Sequence, residues 1–328
     1  MTLPRRKFLH LVAGVAAAPA ASQFAWSQGS PTSQSVRVAT GLLAIWQSTA
    51  WLGAEAGIFK KRTIAVGGPE AAAGLIRGDW EFAHTGTVPV AEEVLKGRDV
   101  VILATPTLDF PKSFVMTKKE ITQLAQLGGK KVGVLTETGQ TSVATRITIE
   151  KAGATATYLP LGKFDRIYAA LAANEIDAGA LPIDQRFSGQ ARYGWNAFPI
   201  DAFDTPSIFA TTRKLIISDR QLVMNVMQGF VETIHLFKTQ PDVVVPLLQR
   251  YVKIEDRKVA DDLYAFHVPV FQKVPRPSFP GMQALREFLV KKYPTAISLK
   301  ESDIADSSFI DELERSGFID RLYAADTK

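Results

Sequence analysis

The side chains suited to holding a small solute fall just past the ends of apolar runs. They are Trp46-Gln47, His84-Thr85-Gly86, Thr107, Thr138-Gly139-Gln140-Thr141 and Asp184. An indole offers a flat apolar wall, an amide both donates and accepts, and a threonine hydroxyl rotates to suit its partner. That is the chemistry of binding. Motifs of turnover are missing: no G-x-S-x-G elbow, no G-x-x-x-x-G-K-[ST] loop and no H-E-x-x-H pair occurs. Gly128-Gly129-Lys130-Lys131 precedes a strand, not a helix, so it cannot cradle phosphates as a P-loop does. The remaining histidines, His10, His235 and His267, lie far from His84 in sequence, so neither a metal site nor a cofactor is expected.

Each candidate has a structural alternative. Trp46 either walls a cleft or packs beneath its loop, and Gln47 either binds or faces water. His84 sits at a strand end, where its ring either reaches a ligand or stays structural. Asp184 and Arg186 are either solvated charges at a helix start or ligand partners, and Arg213 either meets an anion or ties down the C-terminal region.

These residues need strand-turn-helix units to position them. The plainest spans Leu127 to Gly153: an apolar run, KVGVL, then a Thr/Glu/Gly turn, then a helical pattern from about Gln140 to Lys151. Such a turn leaves the first N–H groups of the helix free at its positive end, an anion site unless Thr138, Thr141 or Ser142 caps it. Further strands are predicted at 36–39, 64–66, 80–84, 100–104, 113–116, 157–159, 178–181 and 207–210. Helices are predicted over 48–56, 70–77, 88–96, 164–173 and 184–193 between them. The first four strands, separated by helices, predict a parallel sheet. Beyond residue 210 the pattern is helical, over 219–239, 241–251, 256–267, 281–292 and 308–316, with a Pro-rich loop at 273–280.

With 328 residues, 46% hydrophobic and 22% charged, the chain is expected to form two globular domains. Its start reads as an export signal. Arg5-Arg6-Lys7-Phe8-Leu9 is a twin-arginine pattern, an apolar run to Ala18 follows, and Ala18-Pro19-Ala20 or Ala20-Ala21-Ser22 supplies the small-residue exit. The run is about half of the ~20 residues that a membrane span needs. Residues 22–35 are small and polar and read as a flexible lead-in. Loss of Arg5, Arg6 and Lys7 lowers the formal charge from +5 to +2, leaving no electrostatic case for nucleic acid. The chain has no cysteine, so an oxidising compartment would add no cross-links.

Four motifs then carry a resemblance. Trp51 to Lys61 reads WLGAEAGIFKK, similar to A-x-E-x-G-x-F-K-K, and Gly78 to Pro89 reads GDWEFAHTGTVP, similar to G-x-x-D-F-A-x-x-G-x-x-P. Leu127 to Val134, LGGKKVGV, is similar to L-K-G-K-K-V-G-V, and Ala170 to Ala180, ALAANEIDAGA, is similar to A-L-x-x-G-x-I-D-A-x. In this order, behind an export signal, they resemble the periplasmic substrate-binding proteins of ABC importers, in the nitrate/sulfonate/taurine branch. Three departures stand out: Glu81 replaces the usual Asp, Asn174 a common Gly, and Arg62-Thr63-Ile64 clips the second strand. The cysteine cluster of the pyrimidine-synthesising relatives is absent.

The resemblance implies an α/β, two-lobed type II binding-protein fold: doubly wound mixed sheets joined by a two-stranded hinge, with a helical C-terminal tail. Lobe 1 would comprise 36–108 and 204–328 with the tail, and lobe 2 would comprise 109–203. A small, anionic solute would sit between them, and closure would present it to an ABC permease. A soluble periplasmic monomer, exported by the twin-arginine machinery and not an enzyme, is the expectation; a periplasmic enzyme or a sensor on the same fold is the alternative.

Overall fold

The computed structural model describes residues 36–40, 44–61, 64–66, 71–108, 110–137, 140–200, 206–279 and 281–324. The export signal, its cleavage site, the lead-in, Gly67 to Pro69, Thr138 and Gly139 lie outside the described residues.

The chain begins with β1 (Val36–Thr40), a 3-10 turn (Ile45–Gln47), α1 (Ser48–Glu55), α2 (Ile58–Lys61) and β2 (Ile64–Val66). Next come α3 (Ala71–Arg77), β3 (Phe82–Gly86), α4 (Thr87–Leu95) and β4 (Val101–Ala104). The chain then crosses to β5 (Ser113–Thr117), β6 (Lys131–Val134), α5 (Gln140–Lys151), β7 (Thr157–Pro160) and α6 (Phe164–Ala172). It continues through β8 (Ala178–Pro182), α7 (Ile183–Tyr193) and β9 (Asn196–Pro199), and returns as β10 (Ser207–Thr211). Helices follow: α8 (Arg213–Ser218), α9 (Arg220–Thr239), α10 (Pro241–Val252), α11 (Arg257–His267) and α12 (Met282–Leu289). The last are α13 (Glu301–Ile304), α14 (Ser308–Arg315) and α15 (Phe318–Ala324).

Two five-stranded sheets result, ordered β2-β1-β3-β10-β4 and β7-β6-β8-β5-β9. Within the first, β1, β2 and β3 are parallel, but β10 runs antiparallel between β3 and β4, setting Phe209 opposite both His84 and Ala104. The first four strands thus all run the same way, as predicted, and the inserted β10 makes the sheet mixed, as the resemblance implies. The slot beside β3 stays open until the chain returns from the second sheet, and β10 fills it from the opposite direction. The second sheet is mixed for the same reason, since β5 and β8 pair antiparallel with Phe114 opposite Leu181.

Both sheets are covered on both faces, the condition for a doubly wound layer. In the first sheet Val38, Phe82, Leu103 and Phe209 join one apolar cluster, and Ala39, Ala83, Ile102 and Ile208 join another on the opposite face. In the second sheet Phe114, Met116 and Leu181 face the first of these clusters, while Val115, Val132 and Ala180 form a third. The period of two along each strand assigns each residue its face. At the core of the first half, Phe209 stacks on Phe82 at 5.5 Å and on Phe230 of α9 at 4.3 Å. The tail helices thus belong to the first sheet's core, and α9 packs directly on α1.

Two of the departures acquire a reason. Glu81 accepts the Arg37 backbone N–H at 2.7 Å and pairs with the Arg37 guanidinium at 2.9 Å, bracing β1 against the approach to β3. Asn174 ends α6 at φ 61°, a left-handed position where glycine is easiest and asparagine the next choice. No described helix is long and apolar enough to cross a membrane.

Candidate functional site

In open α/β sheets ligands bind beyond the carboxyl ends of the parallel strands, where helix starts converge. Four turns occupy that position: β1 to α1, β3 to α4, β6 to α5 and β8 to α7. Neither α1 nor α4 is capped by the side chain before it, Gln47 and Gly86 respectively, and neither has an acid in its first turn. Three helices elsewhere differ, although α12 is likewise uncapped and without a first-turn acid. Thr212, Asp219 and Asp256 each accept a backbone N–H at the starts of α8, α9 and α11.

Around the first two turns the buried side chains are neutral and polar. Gln47 is 4% exposed, with the Thr40 hydroxyl 3.4 Å from its Oε1, and Ser48 is fully buried with no described partner for its Oγ. Thr85 is buried, and its carbonyl accepts the Ser207 hydroxyl at 3.2 Å. The Thr87 hydroxyl donates to the Pro206 carbonyl at 2.7 Å, tying the start of α4 to the returning chain. Gly86 sits at the N-cap of α4 in extended backbone.

His84 lies beneath this layer. Its ring is fully buried, edge-on to Phe209 at 6.4 Å and Phe230 at 5.7 Å, and its Nδ1 is 2.9 Å from the Thr49 hydroxyl. Burial pushes its pKa down to about 3, with the Gln47 carbonyl acting weakly the other way. The ring is therefore neutral, and it anchors Thr49 in the first turn of α1. Thr107 is also buried, bridged to Phe271 with no described partner for its hydroxyl, while Gln272 donates to the carbonyls on either side of Pro106.

Trp46 stands in the β1–α1 turn, 9% exposed, edge-on to Phe110 at 6.2 Å. Phe110 in turn meets Phe266 of α11 at 6.0 Å, and Phe266 meets Phe187 of α7 at 5.9 Å. This line of rings runs from the first sheet's leading turn, through the crossover, to the second sheet's α7. Sequence reasoning singled out only Trp46 of the four. The other three lie far apart in the chain, and no local pattern marks them.

On the second sheet, Thr138 and Gly139 fall outside the described residues, and Gln140 is described only as the first residue of α5. Thr141 is half-buried, its carbonyl accepting the Thr145 hydroxyl at 2.7 Å, while Ser142 accepts the Thr136 N–H at 3.3 Å and so ties the turn back on itself. Asp184 opens α7 and is tied to the backbone N–H groups of Asp184 and Gln185; burial, the larger effect, raises its pKa to about 6. Arg186 lies two residues on, half-buried, and Arg213 donates to the Asp303 carbonyl at 3.0 Å, which ties it to the tail. Among the described residues no cluster of His, Cys, Asp or Glu could hold a metal ion.

No family model matches this chain, and no curated protein matches it. Solved structures do. The periplasmic aliphatic sulphonate binding protein SsuA from Escherichia coli superposes with a TM-score of 0.64 at 17% identity, over 83% of this chain and 91% of that one. The alkanesulfonate-binding protein SsuA from Xanthomonas axonopodis pv. citri, bound to MOPS, gives 0.62 at 16% identity, over 85% of this chain and all 100% of that one. A cysteine-to-serine variant of DSZB, in complex with biphenyl-2-sulfinic acid, gives 0.60 at 14% identity, over 86% and 99%. The chain therefore has the two-lobed periplasmic binding protein fold.

Proposed function

We propose that this chain is an extracytoplasmic solute-binding protein that captures a small anionic solute between its lobes and delivers it to an ABC permease. One observation carries the reading. At the carboxyl ends of the adjacent parallel strands β1 and β3, α4 starts without a side-chain cap or a first-turn acid, and the buried Ser48 hydroxyl, where α1 continues the 3-10 turn, has no described partner. Free N–H groups at a positive helix end favour negative charge. The resemblance to SsuA-type proteins supports the same reading, because those are named for sulfonate binding.

In this reading lobe 1 comprises 36–108 and 204–328, and lobe 2 comprises 109–203. Gln47, Ser48, Thr85 and Gly86 face the solute from lobe 1, and Thr141 faces it from lobe 2. The same reading has the chain exported by its twin-arginine pattern and working in the periplasm as a soluble monomer. DSZB has the same fold, but this chain carries none of the nucleophile or metal motifs sought above and no cysteine, which favours capture over turnover.

A thermal-shift panel tests this. A true ligand at about 100 times its Kd stabilises by roughly 2.7 kcal/mol, a rise of several degrees in Tm. We expect such a rise with at least one sulfonate, carboxylate or inorganic oxyanion. A flat response across anions, amino acids and pyrimidines rejects solute capture.

A further inference from the structure

The first crossing between the sheets is held by a part of the chain that lies outside both of them. After β4 the backbone leaves its ladder at Thr105, and its N–H and C=O groups need partners elsewhere. They find them in the stretch between α11 and α12. Thr107 forms an antiparallel bridge with Phe271. The Leu108 N–H donates to the Val270 carbonyl at 2.8 Å, the Thr105 N–H to the Pro275 carbonyl at 3.1 Å, and the Gln272 N–H to the Pro106 carbonyl at 2.8 Å. The Gln272 side chain donates to the Thr105 carbonyl at 2.9 Å and the Thr107 carbonyl at 3.4 Å, and the Ser278 N–H reaches the Thr105 hydroxyl at 3.1 Å.

That stretch is anchored in turn. Lys238 of α9 donates to the carbonyls of Val268 and Phe271 at 2.6 and 2.7 Å, and the buried Phe271 ring lies 4.3 Å from Phe237. Lys273 pairs with Asp320 of α15 at 2.9 Å, and Arg276 with Asp311 of α14 at 2.8 Å. Pro269, Pro275 and Pro277 fix φ in advance and carry no N–H that would need a partner of its own.

The crossing is therefore held from Thr105 to Leu108 and again at Phe110, whose ring meets His267 at 5.4 Å and Trp46 at 6.2 Å. On the far side Lys112 already belongs to the second half, its carbonyl accepting the Ile183 N–H of α7 at 3.0 Å. Only Pro111 lies between, and its ring fixes φ and restricts Phe110 to extended backbone.

We infer that residues 268–278 are a hinge strap: they confine bending of the first crossing to the short link between Phe110 and Lys112, so that the anchorage of the tail limits how far the halves swing. The strap requires only the two-lobed fold, whatever the solute.

The chain has no cysteine, so spin labels attach only where cysteine is introduced. Lys151→Cys in the second half and Lys291→Cys in the first, both at exposed positions, report the distance between the halves by double electron–electron resonance. Gln272→Met and Lys238→Met keep the side-chain stem and remove its donors. Each is expected to widen the distance distribution of the empty protein about twofold and to quicken hydrogen exchange across 104–108 about tenfold. Asp219→Ala removes the cap of α9 without touching strap or crossing, and should leave the distribution as it is. Widening in Gln272→Met is the deciding result, and Lys238→Met decides in its place if Gln272→Met does not fold. An unchanged distribution overturns the inference, even where exchange quickens. Equal widening in Asp219→Ala overturns it too, because any loss of stability would then loosen the halves. Either failure leaves solute capture intact, since no solute enters the measurement.

Discussion

His84 and His267 are both fully enclosed, and burial pushes their pKa values down to about 3 and about 4. In the unfolded chain each takes a proton near pH 6.5, whereas the folded chain refuses it until far lower. The unfolded state therefore binds more protons below 6.5, and stability falls with pH. Asp184, raised to about 6, acts in the opposite sense between there and its ordinary value, because the folded state takes its proton first. Two losses against one gain predict a net fall of about 1.4 kcal/mol per unit between pH 6 and pH 4. Urea unfolding at several pH values checks the slope, and His84→Asn should flatten it. From the sequence, His84 was visible as a residue at a strand end. Its enclosure was not, because Phe209 and Phe230 arrive from more than a hundred residues downstream.

At the scale of elements, α9 owes its start to a side-chain cap. Asp219→Ala should cost about 1 kcal/mol and leave solute affinity unchanged, since it removes only the cap of α9. Close packing gives a second test. A Cβ at Gly179 of β8 would lie 2.4 Å from Ile167 Cγ2, where α6 rests on the sheet, so Gly179→Ala should destabilise by about 1–3 kcal/mol in chemical denaturation. Longer elements were legible from period alone: β4 as an unbroken apolar run, α9 as a long amphipathic stripe, and α5 through its strand and turn. Among shorter ones β2 was legible at 64–66, but others were not. β9 is four residues that include a proline, tolerated because it is the sheet's edge strand. α2 and α13 are single turns, and α8 is separated from α9 only by Asp219, which caps the second of them.

For the molecule as a whole, the proposed function requires that a solute held by both lobes draw them together, which only its differential affinity for the closed form can do. Moving the population from mostly open to mostly closed takes roughly 5.5 kcal/mol of such preference. Small-angle scattering should then record a smaller radius of gyration with ligand than without, and an unchanged radius would argue against closure. Phe187→Ala, which removes one ring from the contact between α7 and α11, should enlarge the radius of the empty protein.

The returning strand β10 also sets the order in which the chain can mature. The second sheet is built from one uninterrupted stretch, 113–199, whereas the first must wait for residues 207–211 to join β3 to β4. As the polypeptide leaves the ribosome, its earliest strands hold apolar faces with a gap where β10 belongs, and the later sheet closes before them. Pairings so distant in sequence slow folding and lengthen the time for which unpaired edges are open to aggregation. Pulse-labelled hydrogen exchange during refolding should therefore protect β5, β6 and β8 before β1, β3 and β4, reversing their order of synthesis.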